Sequence, residues 1–237
     1  MKLICLGIFL TLVFFTNSVL AEKTFLISGV EGSSDSLAAY QVVKEAYRQL
    51  NYEVEVQWIS GVEGLEKANA GEVDAELQRI DGISKKYPNL VQIEIPINIL
   101  EGAVFTTGTS FEILSWHSLR PYRIGLVKGI IFAEQGTEGM NVTKADSYGQ
   151  LLEYLKNGTV DVAVMPRING LHAIKKLKVE GVSEVKGTLE TLFLYHYVHK
   201  RHKDLAVKLE KVFKEMLLTG KTRKIRESIY KQILSAQ

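Results

Sequence analysis

The sequence predicts an α/β protein built from two lobes. Short apolar or alternating segments, typical of strands, recur between segments whose apolar residues have helical spacing. The order strand–helix–strand–helix–strand occupies residues 23–79, and this order is typical of a parallel sheet covered by helices. A similar series begins again near Tyr122. Two such units in one chain indicate two lobes that face each other across a cleft.

The first unit contains three predicted strands, at residues 23–28, 52–58 and 73–77. Apolar side chains recur at helical spacing from Leu37 to Leu50, which predicts a helix between the first two strands. The preceding turn, 29–35 (GVEGSSD), combines glycines with helix-capping serines and an aspartate. A short helix around Leu65 and Ala68 precedes the third strand. We expect a further strand at residues 90–95.

A strand at residues 103–107 follows the first unit, and the second unit has predicted strands at residues 122–127, 140–145 and 160–165. A turn at Lys128 and Gly129 leads into a helix, and a second helix includes Leu151 and Leu155. Pro166 opens a third helix, because proline is tolerated in the first turn. A last strand at 191–198 precedes two closing helices, at 203–218 and 222–234.

The amino terminus has the pattern of a secretory signal peptide. Lys2 supplies a positive start, residues 3–15 are apolar, and Val19 and Ala21 stand at the −3 and −1 positions of a cleavage site. The alternative, an uncleaved membrane anchor, is disfavoured because the apolar run is too short to span a bilayer comfortably. We therefore predict that residues 1–21 are removed and that the remaining 216 residues work outside the cytoplasm.

The composition argues against disulfide bonds and against a nucleic-acid partner. Cys5 is the one cysteine, so no disulfide is expected after cleavage. Without Lys2 the chain has 28 basic and 27 acidic side chains, with no basic block, and we expect no nucleic-acid partner. The remaining chain is long enough to bury a full hydrophobic core. We expect a monomer.

Two copies of one short motif lead to a family resemblance. Residues 69–75 (NAGEVDA) and 155–163 (LKNGTVDVA) each end a helix at a glycine and start a strand. With residues 118–129 (SLRPYRIGLVKG) and the tail at 205–230, the chain resembles family 3 of the periplasmic solute-binding proteins, which serve amino-acid-type ABC transporters. The resemblance implies two lobes joined by two crossing strands, near Phe105 and Leu192. Lobe 1 would comprise residues 22–106 and 191–237, and lobe 2 residues 107–190.

The resemblance also implies a function. The two lobes would close on a small polar solute in the periplasm and deliver it to a membrane permease. The alternative is a sensor whose closed form reports to a membrane kinase or cyclase. A less favoured alternative is a dehydratase on a related fold, with Glu31 or Glu101 as an acid. The sequence has no Gly-x-Ser-x-Gly elbow, no phosphate-binding loop and no His-Glu-x-x-His motif, so we expect no catalytic residues and no cofactor.

The chain departs from the family pattern at positions that bear on the ligand. Many amino-acid binders have a proline-aromatic segment where this chain has Gly29 to Ser34. Binders that hold an amino group often have an acidic residue where this chain has Met165, Pro166 and Arg167. These departures disfavour an ordinary amino acid, and they favour an organic acid or an acidic amino-acid derivative.

Ligands of open α/β sheets sit at the carboxyl ends of strands, beside helix N-termini. Glu31, Ser33 and Ser34 follow the first strand, although the two serine hydroxyls could serve only as helix caps. Arg79 follows the third strand and could bind a carboxylate with two parallel hydrogen bonds, unless it is solvated or pairs with Asp81. The turn at Lys128 offers backbone amides to an anion.

Arg167 mirrors Arg79 in the second lobe, with a solvated arginine as the alternative. If both arginines face the cleft, the ligand carries a compensating negative charge, so we predict a carboxylate. Five aromatic residues could form apolar walls, although aromatic residues of alternating strands more often belong to the core: Trp58, Phe105, Trp116, Tyr195 and Tyr197. Tyr195 is our candidate among them. His196, His199 and His202 lack a completing ligand set, so no metal site is expected.

Overall fold

The computed structural model describes residues 23–109 and 111–235. The predicted signal peptide, residues 1–21, lies outside the described residues. No helix within the described segments is both long enough and apolar enough to cross a membrane.

The described residues form ten strands and seven α-helices, with three short 3₁₀ helices between them. The strands are β1 (Lys23–Val30), β2 (Tyr52–Ile59), β3 (Ala75–Arg79), β4 (Leu90–Gln92), β5 (Asn98–Thr106), β6 (Ile124–Val127), β7 (Val142–Ala145), β8 (Val162–Pro166), β9 (Ser183–Glu184) and β10 (Glu190–His199). The helices are α1 (Ser34–Arg48), α2 (Gly61–Ala70), α3 (Ile131–Gly136), α4 (Tyr148–Lys156), α5 (Arg167–Lys176), α6 (Lys203–Leu218) and α7 (Lys221–Ser235).

One curled sheet runs through the molecule in the order β2-β1-β3-β10-β5-β8-β6-β7, with β4 beside β10 and β9 beside β5. In the first half β1 is parallel to β2 and β3, and in the second half β6 is parallel to β7 and β8. β10 joins the two halves, because residues 190–194 pair with β5 and residues 195–198 pair with β3. The two halves and their helices form the two lobes of the predicted fold class.

Each lobe has its own hydrophobic core. In the first lobe, α1 and α6 pack on the sheet around Ile27, Tyr47 and Phe213. The second lobe has one core around Ile124 and Phe132 and another around Phe105 and α4. Separate cores allow each lobe to remain folded while the cleft between them opens or closes.

Two predicted strands differ from the observed ones for identifiable reasons. The strand predicted at residues 90–95 ends at Gln92. Pro96 has no N–H to continue the ladder, and Ile93 and Ile97 make isolated backbone bonds to β10 instead. The strand predicted at 103–107 begins at Asn98, because residues 98–102 pair with β10, a partner far away in sequence.

Candidate functional site

A deep pocket lies where the carboxyl ends of strands from both lobes meet. Its cavity volume is about 60 Å³. Its apolar lining comes from both lobes: Val30, Ile80, Leu100, Ile130, Ile131, Phe132, Pro166 and Leu194, beside Gly129. Its polar lining comprises Ser33, Asp35, Ser36, Gln78, Arg79, Tyr148 and Asn169. Lining from both lobes, largely apolar walls and a few polar groups are features of a small-molecule site.

Arg79 is the guanidinium that lines this pocket, and it is only 7% exposed. Its Nε donates to Oε1 of Glu76 at 2.9 Å, and its Nη2 donates to the Gly61 carbonyl at 2.8 Å. Glu76 also accepts from the Ser28 hydroxyl at 2.5 Å. Burial raises the pKa of the Glu76 carboxyl, whereas the Arg79 charge acts in the opposite direction. Among the described residues, Nη1 of Arg79 makes no hydrogen bond, so this nitrogen can donate to a solute.

The internal partner of Arg79 is therefore Glu76 and not Asp81, the alternative that the sequence suggested. Glu76 and Arg79 are three residues apart in β3, a spacing that puts side chains on opposite faces of a regular strand. The β3–β10 ladder shifts register between these two positions, and this irregularity lets the two side chains meet. This ion pair fixes the guanidinium in place and leaves one of its edges toward the pocket.

The N-terminus of α1 is bonded to the opposite lobe. Asn169 of α5 accepts from the backbone N–H of Asp35 at 3.0 Å, and it donates to Ser33 at 3.3 Å and to the Tyr148 hydroxyl at 2.8 Å. The Ser34 hydroxyl lies 2.6 Å from Nδ1 of His172. Burial, followed by the charges of nearby lysines, lowers the pKa of His172, so its neutral ring can accept a hydrogen bond from the serine hydroxyl. The bonds to Ser33, Ser34 and Asp35 join the two lobes across the cleft.

Two glycines allow the lobes to approach closely above the pocket. A Cβ atom on Gly61 would lie 3.1 Å from the carbonyl oxygen of Gly129, and one on Gly129 would lie 3.1 Å from the backbone nitrogen of Val62. Gly129 also has a φ of +76°, a conformation that favours glycine. A Cβ at either position would therefore force the neighbouring backbone to shift by a few tenths of an ångström, and a larger side chain would need more room.

Asp35 is a buried carboxyl at the edge of the pocket. Its Oδ1 accepts from the Tyr230 hydroxyl at 3.0 Å, and its Oδ2 is buried without a hydrogen-bond partner among the described residues. Burial is the main cause that raises its pKa to about 7, and the hydrogen bond from Tyr230 opposes this effect. The carboxyl therefore changes charge near neutral pH.

Replacing Asp35 with asparagine is expected to stabilise the protein at pH 8 and not at pH 4. Because the pKa is higher in the folded state, this carboxyl favours folding most at acid pH, and that contribution is lost as the pH rises through about 7. The gain above pH 7 should be at most about 4 kcal/mol. Urea unfolding of both proteins from pH 4 to 8 measures it.

Asp204→Asn is the matched control, because Asp204 is likewise the second residue of a helix but is exposed. Its effect on the free energy of unfolding should hardly depend on pH. A stability difference between Asp35→Asn and the wild type that is constant from pH 4 to 8 would contradict the shifted pKa.

The other residues predicted at the end of the first strand lie at two depths, some beside the deep pocket and one nearer the surface. Ser33 lines the deep pocket and also caps α1, accepting from the Ser36 backbone at 3.2 Å. Ser34 is buried and bonded to His172. Glu31 lies nearer the surface, in a cavity of about 420 Å³ at the mouth of the cleft, which Lys128 also lines.

Lys128 pairs with Asp146, its Nζ lying 2.6 Å from the carboxylate, and this contact raises the pKa of the amine. The backbone amides of the turn at Lys128 are engaged within the protein. Lys128 donates to Ala145 at 2.9 Å, and Ile130 donates to Val127 at 3.2 Å. The amide of Gly129 lies 3.4 Å from Glu134. The turn therefore offers the ligand cleft few free backbone N–H donors, and it contributes mainly to the shape of the cleft.

The structure does not bring Arg79 and Arg167 together. Arg167 pairs with Glu101 at 2.8 Å and with Glu184, and it donates to Thr188 at 2.7 Å. It lines a separate cavity of about 240 Å³ on the other side of α1. Tyr195 is half-buried opposite Arg79 in the β3–β10 ladder and packs beside Tyr197 and Leu65.

The remaining aromatic and histidine candidates have mostly structural positions. Phe105 and Tyr197 are fully buried in the cores, and Trp116 packs against Phe132. His196 is buried between Tyr47 and the Leu77 carbonyl, and burial lowers its pKa to about 4. Within residues 23–109 and 111–235 no cluster of three metal-ligating side chains occurs.

Sequence reasoning missed six polar or aromatic residues of the pocket: Asp35, Ser36, Gln78, Phe132, Tyr148 and Asn169. Five of them lie at or near the beginning of a helix that follows a strand, which is where ligands of α/β sheets bind. The rule was applied to the turns and the strand ends but not to the first turns of α1, α3, α4 and α5.

Solved structures with the same architecture are binding proteins and sensor domains. An amino-acid ABC transporter substrate-binding protein from Streptococcus pneumoniae, bound to L-arginine, has a TM-score of 0.73 at 15% identity, covering 90% of this chain and 96% of its own. A histidine kinase sensor domain with similarity to periplasmic binding proteins has a TM-score of 0.71 at 17% identity, covering 87% and 96%. The chain has the periplasmic-binding-protein fold.

A third solved structure extends the range of this fold. The GluR0 ligand-binding core, in complex with L-glutamate, has a TM-score of 0.77 at 8% identity and covers 89% of this chain and 99% of its own. Identities this low show the shared fold alone.

Sequence comparison adds one relative. A protein of Shewanella oneidensis, described as uncharacterized, is 25% identical over 187 residues, which is 76% of this chain and 70% of that protein. No family model matches the chain.

Proposed function

We propose that this protein binds a small carboxylate-bearing solute in the periplasm and delivers it to an ABC permease, without chemical turnover. The observation that carries the proposal is the pocket between the lobes, lined from both sides and closed by contacts of Asn169 and His172. A site that both lobes complete binds a solute best when closed, so binding drives hinge closure.

Arg79 supports a carboxylate as the recognised group. Its guanidinium is buried and held rigidly by Glu76, and its Nη1 is available to a solute oxygen. A charge-assisted hydrogen bond of this kind contributes about 1.5–3 kcal/mol. The apolar walls formed by Ile80, Leu100 and Phe132 favour a solute with a small apolar body.

Asp35 makes an amino group on the solute compatible with the pocket. The sequence lacks an acidic residue after the second lobe's strand, but Asp35 is among the first lobe's lining residues. The unpartnered Oδ2 can accept from an ammonium group. Solved structures of the same fold bind L-arginine and L-glutamate, so amino acids belong in any ligand search alongside organic acids.

A thermal-shift screen of amino acids, short organic acids and sugars tests the proposal, because a bound solute raises the apparent melting temperature. We expect a carboxylate to give the largest shift. In the double variant Glu76→Gln/Arg79→Gln, which leaves no buried charge unpaired, affinity should fall by about tenfold or more. Arg167→Ala, which removes an arginine outside the pocket, should change it little.

Shifts produced only by neutral sugars or by cations would refute the carboxylate. Loss of the solute during incubation with the protein would refute binding without turnover and would favour the dehydratase alternative.

A sensory role is the second candidate function, and the sensor domain of a histidine kinase with the same fold favours it. The two roles differ in their partner. Deleting the gene that encodes this protein should abolish uptake of labelled solute if the partner is a permease. Unchanged uptake, with loss of a solute-dependent kinase or cyclase response, would favour the sensor.

A further inference from the structure

Helix α5 of the second lobe contacts the ends of two helices of the first lobe. Its Asn169 accepts from the Asp35 backbone N–H in the first turn of α1 at 3.0 Å, and its His172 bonds the Ser34 hydroxyl at 2.6 Å. At its other end, Lys175 donates to the backbone carbonyl of Leu234 in the last turn of α7. The three side chains recur every three residues, which places them along one stripe of α5.

Two of these contacts, those of Asn169 and Lys175, satisfy backbone groups that a helix end leaves open. The first four N–H groups and the last four carbonyls of a helix have no partner within it. Asn169 satisfies one such N–H of α1. Lys175 brings a cation to the negative end of the α7 dipole, which is favourable within the last turn. Both helix ends receive these groups from the opposite lobe.

α7 is well placed to receive this contact because it lies against both lobes. It packs along α1 and also touches α5. At its start, Lys221 pairs with Glu45 of α1. Near its end, the Tyr230 hydroxyl lies 3.0 Å from Asp35 Oδ1 and 3.0 Å from Asn98 Oδ1. α7 is therefore held by the first lobe along its length and by the second lobe at its last turn.

We propose that α5 acts as a clasp, in which Asn169, His172 and Lys175 hold the cleft closed by capping α1 and α7, so that the closed form is well populated before any solute binds. This inference deepens the proposed function, since it concerns closure of the same cleft. It depends only on contacts between parts of this chain.

The clasp sets how much of the solute's binding energy is needed to close the lobes. Affinity is reduced by the fraction of molecules that are not in the binding-competent form. Because Asn169 also lines the pocket, a solute adds its own contacts beside those of the clasp.

The test measures closure in the mature chain without solute. Glu66 and Glu138 are exposed and lie in opposite lobes, so Glu66→Cys and Glu138→Cys, in a mature chain free of other cysteines, accept a pair of spin labels. Pulsed electron resonance then gives the distance distribution between the lobes. Gly61→Val, which blocks closure by its bulk, supplies the open reference.

We expect the protein that carries only the two labelled cysteines to show mainly a short distance between the labels. This distance should differ from the one in the Gly61→Val variant. Lys175→Met and Asn169→Ala should each shift the population toward the open distance, by about two- to tenfold for one net hydrogen bond. Combined, they should shift it further. Lys156→Met is the matched control, because Lys156 is an exposed lysine in the last turn of α4, and it should leave the distribution unchanged.

Two results would overturn the clasp. One is a solute-free distribution already equal to that of Gly61→Val. The other is an unchanged closed population in the combined Lys175→Met/Asn169→Ala variant. No solute is added in this experiment, so neither result bears on the proposed binding function, which the thermal-shift screen tests. Conversely, a failed thermal-shift screen would not change the measured distances between the lobes.

Discussion

Replacing Arg79 with alanine is expected to lower the free energy of unfolding by about 3–5 kcal/mol. The reason is Glu76, which is completely buried and would retain only the Ser28 hydroxyl as a side-chain partner. A buried carboxylate without its cation is costly because the protein interior solvates charge poorly. Urea unfolding at pH 7 measures the loss.

A second substitution tests this explanation. Adding Glu76→Gln to Arg79→Ala removes the stranded charge, so we expect it to restore a large part of the lost stability. The loss should also shrink in acid, because burial already raises the pKa of Glu76 and a protonated carboxyl costs less to bury. If Arg79→Ala is as stable as the wild type, the ion pair has no structural role.

Replacing Gly61 with valine is expected to reduce solute affinity by at least about 100-fold while both lobes stay folded. The added Cβ would lie 3.1 Å from the Gly129 carbonyl oxygen and 3.2 Å from Nη1 of Arg79, and the valine methyl groups would extend closer still. A population shift of this size corresponds to about 2.7 kcal/mol against the closed form. Calorimetric titration with the solute identified by the thermal-shift screen measures the affinity.

Gly149→Val is the matched control for this steric effect. Gly149 also lies in the first turn of a helix, but a Cβ atom there meets only ordinary contacts, the nearest at 3.4 Å from Leu177. We expect it to leave affinity within a fewfold of the wild type. Equal losses from both valines would mean that the approach of Gly61 to Gly129 has no part in closure.

Much of the secondary structure follows from local pattern alone. The closing helix at 203–218 was predicted with its exact bounds, because its apolar residues recur with helical period over sixteen positions. The strands that begin near Lys23, Tyr52 and Tyr122 were found within a few residues because their apolar residues alternate or form short buried runs. The predicted ends of a strand were wrong where the strand pairs with a partner far away in sequence. In β5, for example, residues 98–102 pair with β10.

The lining of the pocket was only partly predictable. The strand-end rule selected Arg79 and Ser33, which line the pocket, and the Lys128 turn, whose Gly129 and Ile130 line it. The same rule selected Arg167, whose side chain turns to Glu101 and Glu184 on the other side of α1. A rule about position in a strand carries no information about which neighbouring carboxylate a long, flexible arginine side chain will meet.

The sequence alone determined the order of the elements, the fold class and the edge of the sheet where the pocket lies. These follow from periodicity, from turn residues and from the geometry of parallel strands, which are local or nearly local properties. The tertiary structure decided the charge and closure of the pocket. It buried Glu76 beside Arg79 and Asp35 beside Tyr230, and it set Asn169 against α1. Burial and pairing arise only when distant segments meet, so no local pattern encodes them.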